Sequence, residues 1–213
     1  MSSPTRRALP NAITLGRLVL AVAFFIMLAR LDRTADADEV AFEGFWAGIC
    51  FAVAAATDLL DGYLARRWNV VTTFGRLMDP LVDKVLVLGG FVFLASAGFS
   101  GPAAEGTVGS GVTALMVVLI LVREFLVTGI RSYAESQGMA FGADLGGKIK
   151  MVVQSFCVPW CVFVATRAAP SEFLVMTRDV TVNATLAITL LSGVSYLVRA
   201  FKLPILVDGA AQR

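Results

Sequence analysis

The chain has 213 residues, of which 57% are hydrophobic and 16% charged, with a net charge of +2 and no histidine. A water-soluble domain usually carries about 25% charged residues, so this composition argues against a soluble enzyme and for an all-α, polytopic membrane protein. The missing histidine excludes Ser-His-Asp and Cys-His catalysis and His-ligated zinc, leaving proton transfer to a carboxylate, Lys, Tyr, Cys or water.

Residues 1–10 read as a juxtamembrane arm. Arg6 and Arg7 would lie on anionic lipid, and Pro10-Asn11 is the expected helix start. No small-residue cleavage site follows the first apolar run, so it reads as a retained helix and not a signal peptide. Six apolar runs are near the ~20 residues that cross a bilayer. They cover roughly 12–29, 45–66, 77–98, 111–132, 149–167 and 180–200, and the whole of 1–213 reads as one membrane domain.

The linkers differ in charge. Residues 30–43 hold Asp32, Asp36, Asp38, Glu39 and Glu43 against Arg30 and Arg33. The stretch after the third run is Gly-rich, and the one after the fifth holds Arg167, Glu172, Arg178 and Asp179. Four basic residues (Arg30, Arg33, Arg167, Arg178) therefore share one side, and the other fourteen of eighteen Lys and Arg share the opposite side. Basic loops stay in the cytoplasm. Both termini and a polar, cytoplasm-facing cavity are expected there.

Four carboxylates stand out. Asp58 and Asp61 close the second run, and Asp79 and Asp83 open the third. A carboxylate within a span costs roughly 2.5–3.5 kcal/mol on insertion scales, so four together need a neutralising charge. Asp58 and Asp61 are three residues apart and Asp79 and Asp83 four, so each pair shares a helix face. Gly75 lies one turn before Asp79. The short linker makes the two helices antiparallel neighbours. Four like charges gathered there require protonation or bound cations. An all-oxygen set favours a hard ion, Mg²⁺ or Mn²⁺, and four carboxylates suit two ions. Gly62, Ala65 and Gly75 leave a notch beside them, and Arg66 at its rim suits a phosphate. Together these residues point to metal-assisted phosphoryl chemistry at a membrane surface.

At these positions the chain resembles the CDP-alcohol phosphotransferase family. Asp58, Asp61, Gly62, Ala65, Arg66, Gly75, Asp79 and Asp83 match Asp-x2-Asp-Gly-x2-Ala-Arg-x8-Gly-x3-Asp-x3-Asp at every fixed position. The resemblance implies six helices. It implies that Asp58, Asp61 and Asp79 are metal ligands, and that Asp83 is the general base, also touching the second metal. Gly62, Ala65, Arg66 and Gly75 would line the cytidine-diphosphate pocket. Members of the family use an alcohol to displace CMP from a CDP-linked donor.

Shorter motifs resemble the bacterial branch that makes phosphatidylglycerophosphate. Asn11, Thr14 and Arg17 match a Pro-Asn-x-x-Thr-x-x-Arg start and, three apart, suit diphosphate contacts. Arg123-Glu124-Phe125 matches another segment. Gly147-Lys148-Ile-Lys150 with Gln154 matches a third, although Met151 stands where that branch usually has Thr. The branch implies CDP-diacylglycerol and sn-glycerol 3-phosphate as substrates, phospholipid biosynthesis as the context, and the bacterial inner membrane as the location.

Arg123, Arg131, Lys148 and Lys150 would also suit the acceptor phosphate on charge alone, although positive-inside topology predicts basic residues there anyway. Glu124 would pair with nearby cations. Rival readings are a cardiolipin-synthase or inositol-phosphate member of the family, a cation or proton transporter, and an intramembrane aspartyl protease, which needs two aspartates and not four. Nothing points to nucleic acid.

Other residues have plainer readings. Trp46, Trp68, Trp160, Tyr63, Tyr133 and Tyr196 are expected at the membrane interfaces. Gly89, Gly90 and Gly129 suit close helix packing, including a homodimer. Pro80 suits a helix start. Pro159 would kink the fifth span and open a lateral path for lipid. Cys50, Cys157 and Cys161 are expected to pack as small hydrophobes.

Overall fold

The computed structural model describes the backbone of residues 4–68, 73–138 and 145–201, and the side chains of 12–57, 81–138 and 146–201. Its elements are α1 (Pro4–Arg30), α2 (Ala37–Trp68), α3 (Thr73–Leu94), a single turn α4 (Ala97–Ser100), α5 (Ala114–Ser136), α6 (Leu145–Ala165) and α7 (Glu172–Ala200). All regular structure among the described residues is helical, as expected. Most of the helices run longer than the apolar runs. α1 starts at Pro4 and not at Pro10-Asn11, α2 and α7 each start eight residues early, and the third run breaks at Leu94 before α4.

The six long helices close into a ring in the order α1, α2, α6, α7, α5, α3, with α3 also touching α6 across the middle. The main core lies among α1, α2, α3 and α6, around Phe24, Phe51, Leu86, Phe91 and Val158. Phe24 meets Phe51 edge-on at 5.2 Å, and Phe25 stacks on Phe93 at 5.6 Å. A lipid solvent gives little hydrophobic drive between helices, so close van der Waals contact must hold them. The glycines permit it. A Cβ on Gly89 would strike the Phe25 ring and one on Gly90 would strike Val158, so both serve contacts within the chain. Gly129 has open space beside it. Cys157 and Cys161 are buried, with sulfurs 3.8 Å apart.

The outer surface is apolar, with Leu115, Val152, Phe173 and Leu191 all more than two-thirds exposed. That surface is the complement of a lipid solvent. Among the described residues, four segments are long and apolar enough to cross a membrane: Ala12–Arg30, Ala37–Thr57, Gly146–Ala165 and Glu172–Ala200. The chain is thus a multi-pass membrane protein. α5 has 23 residues but carries Arg123, Glu124 and Arg131 in its apolar stretch. Pro159 lies inside α6 and borders an apolar groove against α2, lined by Gly48, Ile49, Trp160 and Phe163.

At one end of the ring, Arg33 ties the loops together. Its guanidinium donates to Ala165 O (3.1 Å), Gly98 O (2.7 Å), Gly101 O (3.0 Å) and Val108 O (2.6 Å). Burial there pulls its pKa down from the usual arginine range. Arg178 donates to Gly109 O and to Asp179. Gly111, at φ +75°, passes so close to Arg178 that a Cβ would stand 3.0 Å from its Nε. Thr113 and Ser171 cap α5 and α7 by accepting from the Met116 and Leu174 amides. Two of the four arginines assigned to that side are therefore internal ties.

Candidate active site: a cationic cavity beside Asp83

The other end of the ring holds a cavity of about 600 Å³. α3 contributes Asp83 and Lys84. The last turns of α5 contribute Arg123, Glu124, Thr128, Arg131 and Glu135. The first two turns of α6 contribute Lys148, Lys150 and Met151, and α7 contributes Tyr196. Alternating chain direction brings the start of α3 and α6 and the end of α5 and α7 to one level. Of the expected residues, Asp83, Arg123, Arg131, Lys148 and Lys150 thus share one cavity.

The charges in its wall are organised. One oxygen of Glu124, Oε2, accepts from Lys150 Nζ at 2.7 Å and from Arg123 Nη1 at 3.2 Å. All three side chains are about nine-tenths buried, and burial makes such charge-assisted bonds strong provided each ion stays paired. Arg123 Nη2 donates to Ser192 Oγ at 2.9 Å. Thr128 Oγ1 donates to the Glu124 carbonyl at 2.7 Å and accepts from Lys84. Lys150 also stands in the field of Asp83.

α7 completes the wall, and no motif marks it. Gly193 makes room for Arg123, since a Cβ there would stand 2.8 Å from Arg123 Cγ. Tyr196 was expected at an interface, but it is 1% exposed. Arg131 Nη2 donates to its hydroxyl at 3.0 Å, and the guanidinium carbons of Arg123, Arg131 and Arg199 lie 5.7, 5.9 and 5.5 Å from its ring centroid. The cause is cation–π attraction in a desolvated site. Trp160 stacks between Phe156 and Phe163 along α6. Gln154 is buried and donates to Thr189 Oγ1 at 3.0 Å, joining α6 to α7.

The remaining expected residues are only partly placed. Asp58 and Asp61 lie in the last three turns of α2, and Asp79 lies in the first half of α3. Their side chains, with those of Asn11, Gly62, Tyr63, Ala65, Arg66, Trp68, Gly75 and Pro80, are outside the described residues. Thr14 and Arg17 are buried on α1, at 2% and 1% exposure, and face the protein interior. No cluster of three metal-ligating side chains occurs among the described residues. The donor set nonetheless fits a hard divalent cation. Helical spacing holds in both α2 and α3, all four donors are carboxylates, and Asp83 borders the cavity.

Several known proteins are similar to this chain. A protein of Bacillus subtilis (strain 168) named CDP-diacylglycerol--glycerol-3-phosphate 3-phosphatidyltransferase is 40% identical over 154 residues, covering 70% of this chain and 74% of that protein. Proteins of the same name from Escherichia coli (strain K12) and Rickettsia bellii are 32% and 28% identical. They cover 71% and 88% of this chain, and 75% and 92% of their own lengths. The CDP-alcohol phosphatidyltransferase family model matches residues 7–196. With that match spanning nearly the whole length, and with a carboxylate and basic side chains around one cavity, the chain belongs to the CDP-alcohol phosphatidyltransferase family.

Proposed function

We propose that this enzyme transfers the phosphatidyl group of CDP-diacylglycerol to sn-glycerol 3-phosphate, giving phosphatidylglycerophosphate and CMP. The observation that carries the reading is the cavity that sets Asp83 among Arg123, Arg131, Lys148 and Lys150. An anionic acceptor needs that positive potential, and its hydroxyl needs a base within reach. The names of the relatives point the same way.

In this reading Asp83 takes the proton from the acceptor hydroxyl. The freed oxygen attacks the phosphorus that carries diacylglycerol, a new P–O bond forms, and the bond to CMP breaks. Asp58, Asp61 and Asp79, with Asp83 at the edge, would hold divalent cations, Mg²⁺ or Mn²⁺ and two in number. Bound there, the cations supply charge neutralisation for the diphosphate. Asn11, Thr14, Arg17, Gly62, Ala65, Arg66 and Gly75 would bind the CDP moiety while the acyl chains stay in lipid.

The whole chain is one domain with six spans, α3 and α5 being the two beyond the four segments named above. Both termini and the cavity face the cytoplasm of a bacterial inner membrane. A homodimer belongs to the same reading, since the open space beside Gly129 leaves room for a neighbouring helix.

The test is CMP release by purified protein from CDP-diacylglycerol with a panel of acceptors, with and without EDTA. Release is expected with glycerol 3-phosphate, and chelation should abolish it until Mg²⁺ or Mn²⁺ returns. Preference for phosphatidylglycerol or inositol phosphate, or activity indifferent to EDTA, overturns the reading. So does ion flux in liposomes without CMP release.

A further inference from the structure

The five basic residues that line the cavity are not equivalent, and Lys84 already donates to Thr128. Arg123 is 7% exposed, with Nη1 on Glu124 and Nη2 on Ser192. Lys150 is 8% exposed and bonded to Glu124. Both are committed to internal partners. Lys148 is exposed, and Arg131 is half-buried with one terminal nitrogen on Tyr196. The accessible cations therefore lie at the Lys148 and Arg131 end.

Glu124 is the counterpart of that asymmetry. Both of its ion pairs fall on Oε2. Among the described residues, no hydrogen bond reaches Oε1. The carboxylate borders the same cavity as Asp83 and Lys150. An ionised carboxylate only accepts, so its free oxygen requires a donor such as a hydroxyl, and it repels a phosphate.

From this geometry we infer that Glu124 is a specificity-determining residue that accepts a hydrogen bond from the acceptor's second hydroxyl, the one next to the hydroxyl that Asp83 deprotonates. The inference rests on the proposed transferase reading and deepens it. The acceptor then lies with its phosphate toward Arg131 and Lys148 and its vicinal diol toward Glu124 and Asp83. Arg123 and Lys150 act through Glu124, as positioning residues that hold its carboxylate in place. A site built to satisfy a hydroxyl rejects an analogue that lacks it, because the carboxylate oxygen that the analogue covers is left without a donor.

The test compares glycerol 3-phosphate with 3-hydroxypropyl phosphate, which keeps the reacting hydroxyl and the phosphate and lacks only the middle hydroxyl. The wild-type enzyme is expected to favour glycerol 3-phosphate in kcat/KM by on the order of 10- to 100-fold. Glu124→Gln should bring that ratio to within a few-fold of one, chiefly by losing rate with glycerol 3-phosphate. The ratio is internal to each protein, so loss of folded enzyme does not alter it. If Glu124→Gln turns over neither compound, calorimetric binding of both to the wild type and the variant gives the same ratio without turnover.

Equal use of the two compounds by the wild type, or an unchanged ratio in Glu124→Gln by both measures, overturns the inference and leaves the transferase reading standing. CMP release with neither phosphate overturns both.

Discussion

Gly193→Ala gives a sharp test of how α7 supports the site. The added methyl would stand 2.8 Å from Arg123 Cγ and 3.7 Å from Nε. Carbon atoms settle at about 3.5–4.0 Å, so Arg123 Cγ must retreat by roughly 1 Å. It has little freedom to do so. Its guanidinium is held by Ser192 at 2.9 Å and by Glu124 at 3.2 Å, and a shift of that size breaks at least one of these bonds. Overpacking and loss of one charge-assisted hydrogen bond together cost about 2–3 kcal/mol. That corresponds to roughly 30- to 150-fold if it falls wholly on acceptor binding. The assay is CMP release against glycerol 3-phosphate concentration at saturating CDP-diacylglycerol, with the donor titration as control. Acceptor KM should rise at least 10-fold with donor KM unchanged. An acceptor KM like that of the wild type, or equal rises for both substrates, would refute the reasoning.

Three further outcomes are expected. Asp83→Asn should lower kcat by about 10²–10⁴ while CDP-diacylglycerol binding by calorimetry persists, and a variant of normal turnover would contradict the base assignment. Tyr196→Phe removes only the hydroxyl that Arg131 meets and should raise acceptor KM about 5- to 10-fold. Tyr196→Leu also removes the ring face and should cost more, and equal effects would deny the ring a role. Arg33→Met leaves four carbonyls without their donor and should destabilise the protein by about 3 kcal/mol or more, seen as a lower unfolding midpoint in detergent. Both KM values should hold, because Arg33 is at the far end of the ring.

The helices and the acidic motif were legible because each rests on a simple physical rule. Apolar length marks a span, and carboxylates at spacings of three and four mark a shared helix face. Two short motifs also brought out the basic residues of α5 and α6, which the structure gathers with Asp83. The contribution of α7 was not legible. Ser192, Gly193 and Tyr196 are ordinary residues in an apolar helix, and their meaning comes from Arg123 and Arg131 on a helix more than sixty positions away. A tyrosine near a span end reads as an interface anchor until three guanidinium groups are found against it. Arg33 and Arg178 were opaque for a different reason. Arg33 donates to four backbone carbonyls and Arg178 to one, and every residue has a carbonyl, so no sequence pattern announces these ties. Gly89 and Gly90 promised close packing, but only the fold could say that the neighbours are Phe25 and Val158 of the same chain.

The dependence of Arg123 on α7 has a consequence for biosynthesis. Until α7 is in place, the Arg123 guanidinium of the nascent chain lacks its Ser192 partner and the tyrosine beside it. A product cut short before residue 192 would keep the acidic motif and the other helices, yet would leave that charge without its partners on α7. Such a polypeptide should be a good substrate for membrane quality control, and co-translational maturation of the site should wait until α7 leaves the translocon.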